Sequence, residues 1–320
     1  PASLSQDPHV ELSGINKSFG GVQVLSNIDL SITRGTVHGI VGENGAGKST
    51  LSKIISGLLV ADGGQLRVDG KAVSFRSPRE ALGCGIATIA QELALVPSLT
   101  VAENVHLGSE PQRAGFVRRR ALRASFSALA EQAGFDLRPD QLTGSLRTAD
   151  QQKVEILRAL SRGASLIIMD EPTAALSGQD TERLHEVVRS LAASGHTVLL
   201  ISHFLSEVLS LTDAVTILRD GKVVRTSASR HETESSLIEG MLGRTLNSVF
   251  PPKDPPPQTS DSVLAVEHLS APGVQDVSLR VAAGEIVGLA GLVGAGRSEL
   301  ALAIFGASKR SAGAVTVDQT

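Results

Sequence analysis

The chain has 320 residues, room for two domains with a core each, and its 30 Lys plus Arg against 33 Asp plus Glu leave a net charge of −3. Nothing in that balance suggests a polyanion-binding surface, and eight Phe with no Tyr or Trp leave little to stack on bases, so nucleic acid is a poor first expectation as ligand. A single Cys, Cys84, cannot form an internal disulfide and fits a reducing compartment, and the longest apolar runs are strand-length, far short of the ~20 residues that cross a bilayer.

Residues 1–9 read as an N-terminal tail without the basic and apolar regions of an export signal. Residues 36–41 are a short apolar run leading into a glycine-rich turn, after which Leu51, Ile54, Ile55 and Leu58 recur at helical spacing. The expected order is strand, loop, helix. Residues 100–160 have helical spacing and few strand signals, which predicts a helical subdomain inserted between sheet strands; the basic run Arg118, Arg119, Arg120 with Arg123 reads as its solvated face. Residues 165–169 and 197–201 read as buried strands separated by a helix with Leu184, Val187, Val188 and Leu191 on one face. Strands alternating with helices imply an α/β fold with a mainly parallel sheet.

The chain also matches itself. Ile28 to Asp69 aligns with Val277 to Asp318 without a gap, placing Gly35 on Gly284, Gly42 on Gly291, Gly45 on Gly294, Gly47 on Gly296 and Gly64 on Gly313. One fold is duplicated, and the second copy is partial. The expected domains are 10–246, a Pro-rich semi-rigid linker at 247–261, and the start of a second copy at 262–320; the absence of an initial Met and the stop at Thr320 read as a fragment.

Gly42, Glu43, Asn44, Gly45, Ala46, Gly47, Lys48 and Ser49 satisfy the phosphate-binding pattern G-x-x-x-x-G-K-[ST], placed after a strand and at a helix start as its mechanism requires. Glycines let the loop turn its N–H groups toward phosphate oxygens, and the helix N-terminus adds partial positive charge. Lys48 is expected on the β- and γ-phosphates, Ser49 on Mg²⁺, and Thr50 on a neighbouring phosphate. Downstream, Leu166, Ile167, Ile168 and Met169 run into Asp170 and Glu171. A lone Asp-Glu pair is ordinarily two solvated loop acids, but behind four apolar residues Asp170 is placed to hold the Mg²⁺ shell and Glu171 to orient or deprotonate attacking water.

With Gln91 and with Ser202 and His203 after the next strand, these residues resemble an ABC-type ATPase, a P-loop NTPase. Residues 90–104 (AQELALVPSLTVAEN), residues 169–176 (MDEPTAAL) and the duplicated half look like the bacterial monosaccharide-import ATP-binding proteins of the ribose, galactose and xylose type, over about residues 10–320. The resemblance implies two nucleotide-binding domains that bind ATP with Mg²⁺. They would be docked peripherally at the cytoplasmic face of the membrane beneath permease subunits fed by an external sugar-binding protein. It implies Gln91 as a residue sensing Mg²⁺ and water, with the segment after it touching the permease, and His203 as the switch histidine on the γ-phosphate. Phe19 stands where the family stacks an aromatic on adenine; by itself it reads equally well as a core Phe.

Three departures stand against the pattern. The family signature reads close to L-S-x-G-x-Q-Q, whereas residues 146–152 place Arg147 and Ala149 at its Ser and Gly, and Ser177 takes the usual terminal Asp of the D-loop at 174–177. Arg297 and Glu299 occupy the positions of Lys48 and Thr50 in the second copy, where a planar guanidinium is a poor replacement for a compact ammonium. In a head-to-tail pair the signature and second-loop changes fall on one composite site. The expected division is hydrolysis at the site built on Lys48 and a quieter site built on Arg297. Two other readings are a soluble twin-ATPase acting in translation, disfavoured by the short Pro-rich linker and Arg297, and an inactive truncated paralogue.

Overall fold

The computed structural model describes residues 7–89, 94–113, 115–173, 178–243, 262–291 and 294–317. Two compact units divide the chain, Pro1–Val249 and Phe250–Thr320. The expected linker at 247–261 lies outside the described residues.

In the first unit, the apolar runs expected to be strands form a six-stranded sheet. Its members are β3 (Val37–Val41), β6 (Ile86–Ile89), β9 (Leu166–Asp170), β10 (Thr197–Ile201), β11 (Ala214–Arg219) and β12 (Lys222–Ala228), in the order β12-β11-β3-β10-β9-β6. All neighbours are parallel except β11 and β12, which form a hairpin. The continuous apolar runs follow from burial on both faces. In β9, Leu166 and Ile168 enter one core and Ile167 and Met169 the other; in β10, Leu199 and Ile201 alternate with Val198 and Leu200 in the same way.

One face is covered by α4 (Arg119–Ala133), α5 (Thr148–Ser161) and α6 (Gly178–Ala193). The predicted stripe of α6, Leu184, Val187, Val188 and Leu191, is buried there. The helical region also contains α3 (Val101–Val105), opened by a capping box between Thr100 and Glu103, and a two-stranded hairpin that periodicity did not predict, β7 (Gln112–Arg113) with β8 (Phe116–Val117). Arg118, Arg119, Arg120 and Arg123 are exposed, and Arg123 pairs with Asp140 at 2.7 Å, so the basic run is a solvated face.

The other face packs on α1 (Lys48–Ile55) and on an antiparallel sheet that periodicity also missed. It runs β2-β1-β4-β5, from β1 (Pro8–Phe19), β2 (Val22–Thr33), β4 (Gly63–Val68) and β5 (Lys71–Val73). Strand β1 begins inside the stretch read as a tail, and His9 is fully buried against Thr197 Oγ1 at 2.7 Å. Helix α1 is shorter than the apolar spacing implied: Gly57 at φ +73° lies just past its end, and Leu58 is 55% exposed. Helices α2 (Pro78–Gly83), α7 (Leu205–Leu211) and α8 (Glu234–Leu242) complete the unit.

The second unit repeats the antiparallel arrangement. Strands β13 (Ser262–Ala271), β14 (Val274–Ala282) and β15 (Ala312–Val317) pair in the order β14-β13-β15, matching β2-β1-β4, with α9 (Arg297–Phe305) at the place of α1. The duplication extends to backbone detail. Asn27 and Asp276 are both left-handed, at φ +49° and +48°. Gly64 and Gly313, at φ +94° and +87°, approach a neighbouring strand so closely that a Cβ would lie 2.4 Å from the Gly14 or His268 carbonyl oxygen. The copies differ at the central strand. Val37 and Ile40 are 2% and 0% exposed between β10 and β11, whereas their counterparts Ile286 and Leu289 are 95% and 45% exposed and form no strand.

Candidate functional site

Parallel pairing places three strand ends side by side. Ile201 of β10 is in register with Ile40 of β3 on one side and with Asp170 of β9 on the other, so the turns leaving all three strands open on one edge of the sheet. Ligands of open α/β sheets bind at this carboxyl edge.

Residues 42–47 leave β3 and return as α1. Gly47 caps α1 at φ +102°, and a Cβ there would lie 2.5 Å from Leu25 Cδ2, so only glycine fits. No side chain caps this helix, in contrast to α2 and α3, which are capped by Ser77 and Thr100. The first-turn amides of α1 are therefore left for an external acceptor. Lys48 is 8% exposed, and its Nζ donates to the carbonyl oxygens of Gly42 at 2.7 Å and Glu43 at 2.9 Å, folding the loop over its own ammonium. Burial lowers the Lys48 pKa, opposed by the negative charges of Glu171 and Asp170. Glu43, Asn44, Gly45 and Ser49 are exposed, Thr50 is half-buried, and Ala46 is buried.

Asp170 ends β9, and its pKa is raised by burial and by the adjacent Glu171, with Lys48 and Lys53 opposing. Asp170 and Glu171 thus lie close enough to feel each other's charge and that of Lys48. Ser49 and Asp170 are an oxygen donor set of the kind Mg²⁺ takes. Glu171 lies in the left-handed region at φ +49°, uncommon for a non-glycine residue, and its N–H donates to Ile201 O at 2.8 Å. That bond extends the β9–β10 ladder one step and turns the Glu171 side chain out of the sheet. Its Oε1 lies 3.2 Å from Nδ1 of His203, whose ring packs on Phe204 at 4.1 Å between centroids.

The sequence-predicted residues 42–50, Asp170, Glu171 and His203 thus meet at one edge. Gln91 and the D-loop residues 174–177 lie outside the described residues. Phe19 ends β1 and is 45% exposed, with Lys17 Nζ 5.4 Å from its ring centre, so it is a surface aromatic and not a core one. It pairs with Val22 at the turn into β2, the strand that supplies Leu25 against Gly47.

Arg147 is the exposed N-cap of α5, Ala149 is buried, and Gln152 of the same motif donates from Nε2 to Pro172 O at 2.5 Å, next to Glu171. In the second unit Arg297 opens α9 after Gly296 at φ +82°, but is exposed where Lys48 is buried. Sequence reading missed Glu207, a buried carboxylate beneath the site, and the Gln152 link. No local pattern marks either, because both depend on contacts between distant segments.

Comparison with known proteins places the fold among known ones. Residues 25–174 match the family model described as ABC transporter. The chain is 44% identical over 313 residues to ribose import ATP-binding protein RbsA 3 of Rubrobacter xylanophilus, covering 98% of this chain and 63% of that protein. It is 46% identical over 312 residues to ribose import ATP-binding protein RbsA of Rhodococcus jostii, covering 97% and 62%. The chain therefore spans less than two thirds of the length of these curated relatives. Among solved structures, an ATP-binding cassette of an ABC transporter in its ADP conformation matches with TM-score 0.65 and 26% identity, over 74% of this chain and 99% of that one. A nucleotide-free cassette matches with TM-score 0.62 and 27% identity, over 74% and 95%. The first unit has the ABC ATPase cassette fold, a P-loop NTPase fold.

Proposed function

We propose that this ABC transporter ATP-binding domain binds and hydrolyses MgATP as the energy-coupling part of a bacterial importer for a monosaccharide, ribose-like in class. The observation that carries the reading is the Glu171–His203 contact at 3.2 Å, set at the sheet edge where the loop around Lys48 also opens. Ser49 and Asp170 would hold Mg²⁺, which supplies neutralising charge on the phosphate oxygens. Lys48 exchanges its bonds to the Gly42 and Glu43 carbonyls for phosphate oxygens, and the α1 amides bind the same group. Glu171 accepts the proton of the attacking water, and His203 holds the γ-phosphate on the other side. Gln91 senses the water, and Phe19 packs on the adenine. The site built on Arg297 is the quieter of the two.

The relatives named above are import proteins, which supports permease subunits as partners, an external sugar-binding protein acting through them, and a peripheral place at the cytoplasmic face. No helix among the described residues is long and apolar enough to cross a membrane. A groove of about 300 Å³ lined by Leu58, Leu82, Thr88, Glu155, Arg158 and Arg162 borders the segment after Gln91, since Arg158 Nη1 donates to Ala94 O at 2.8 Å. This groove is the place for a permease segment. The test is ATP hydrolysis by the complete protein reconstituted with permease subunits of a monosaccharide importer and their sugar-binding protein. Sugar-loaded binding protein should stimulate turnover, and turnover indifferent to every sugar tried would overturn the import reading.

A further inference from the structure

A buried acid lies beneath the Glu171–His203 pair without belonging to it. Glu207 of α7 is 5% exposed, and the ring of His185 lies beside it, with Nε2 at 3.3 Å from Oε1. Its other oxygen, Oε2, accepts from Thr173 Oγ1 at 3.0 Å and from Ser202 Oγ at 2.6 Å. Ser202 Oγ in turn accepts from the Phe204 amide at 3.1 Å. Burying a carboxylate is costly unless hydrogen bonds satisfy it, and here the partners come from three separate segments of the chain.

Those donors occupy particular places in the chain. Thr173 is two residues past Glu171, Ser202 immediately precedes His203, and His185 belongs to α6, so Thr173 and α6 bracket the segment 174–177. The Glu171 carboxylate pairs with the His203 ring, which packs on Phe204, and it also feels the charges of Lys48 and Asp170. The segments that carry the two side chains leave adjacent strands, and Glu207 ties those segments together through the hydroxyls of Thr173 and Ser202.

We propose that Glu207 is a positioning residue whose buried carboxylate, by holding Thr173, Ser202 and His185 at once, fixes the Glu171–His203 pair in its working geometry. This rests on the ATPase reading above. A misplacement of about 1 Å costs on the order of a hundredfold in a positioned reaction, so even partial relaxation of the clamp should appear in turnover.

The experiment compares the complete protein with its Glu207→Ala and Glu207→Gln variants, reading kcat, the Kd for MgATP, and the imidazole ¹⁵N resonances of His203. In Glu207→Ala, kcat should fall at least about tenfold while Kd stays within about twofold, because Glu207 bonds Thr173, Ser202 and His185 and not the phosphate loop that grips the nucleotide. The His203 resonances should move. Glu207→Gln retains a carbonyl acceptor for one hydroxyl and should recover to within about threefold of the parent. If Glu207→Ala does not fold, Ser202→Ala, which removes one hydroxyl, is read in the same way. A folded variant with unchanged kcat and unchanged His203 resonances overturns the proposal, as does a loss of Kd parallel to kcat. If the unaltered protein hydrolyses no ATP, the ATPase reading fails, and displacement of the His203 resonances still decides whether the clamp exists.

Discussion

His203 Nδ1 lies 3.2 Å from Glu171 Oε1 although the two residues leave different strands. The contact follows from sheet register, because β9 and β10 are adjacent and Asp170 pairs with Ile201. The strained φ of +49° at Glu171 then aims its carboxylate at the histidine.

Glu171→Gln keeps the shape of the side chain and removes its ability to take a proton. Nucleotide binding should persist while hydrolysis falls by about 10²-fold or more. A single-turnover assay on the complete protein, with binding measured separately, checks this; a rate within a few fold of the parent would remove Glu171 as the base.

Much of this site was legible because its residues lie in short local patterns. The phosphate loop and the apolar strand ending in Asp170 and Glu171 each announce a turn at a strand end. The strand that runs into Ser202 and His203 did so as well. The antiparallel sheet was not legible. Strand β1 is interrupted by register shifts and by Gly14 at φ +61°, so its alternation is broken and its partners are remote. Leu58 continued a helical stripe that the chain abandons at Gly57. Glu207 could not be read at all, since a buried acid has no sequence signature apart from the donors that fold around it.

Gly64 should be intolerant of any side chain. Alanine there is strained at φ +94° and brings its Cβ 2.4 Å from Gly14 O, so Gly64→Ala should cost at least about 2 kcal/mol. Gly70, at φ +72° with open space around it, is the control, and Gly70→Ala should cost about 1 kcal/mol. Denaturant unfolding of the two variants gives the comparison, and equal losses would contradict it.

Acid should weaken the first unit through its buried histidines. Burial lowers the pKa of His38 from 6.5 to about 4, and that of His9 to about 4 with Arg34 assisting. The unfolded chain takes up these protons near 6.5 and the folded one does not, so the contribution is complete above pH 6.5 and is lost as pH falls toward 4. His38→Gln, which keeps a polar group near Thr216, should reduce the proton uptake on unfolding by about one across that window. The check is stability measured against pH; an unchanged slope would show that His38 is not held neutral.

The central claim is that the first unit grips and splits the nucleotide while its repeat is the quieter partner. It is tested most directly by steady-state ATP hydrolysis of the complete protein carrying either Lys48→Ala or Arg297→Ala. Lys48→Ala should abolish turnover, because the buried ammonium that organises Gly42 and Glu43 is gone. Arg297→Ala should leave most of it. Full activity in Lys48→Ala, or its loss in Arg297→Ala alone, would contradict the account.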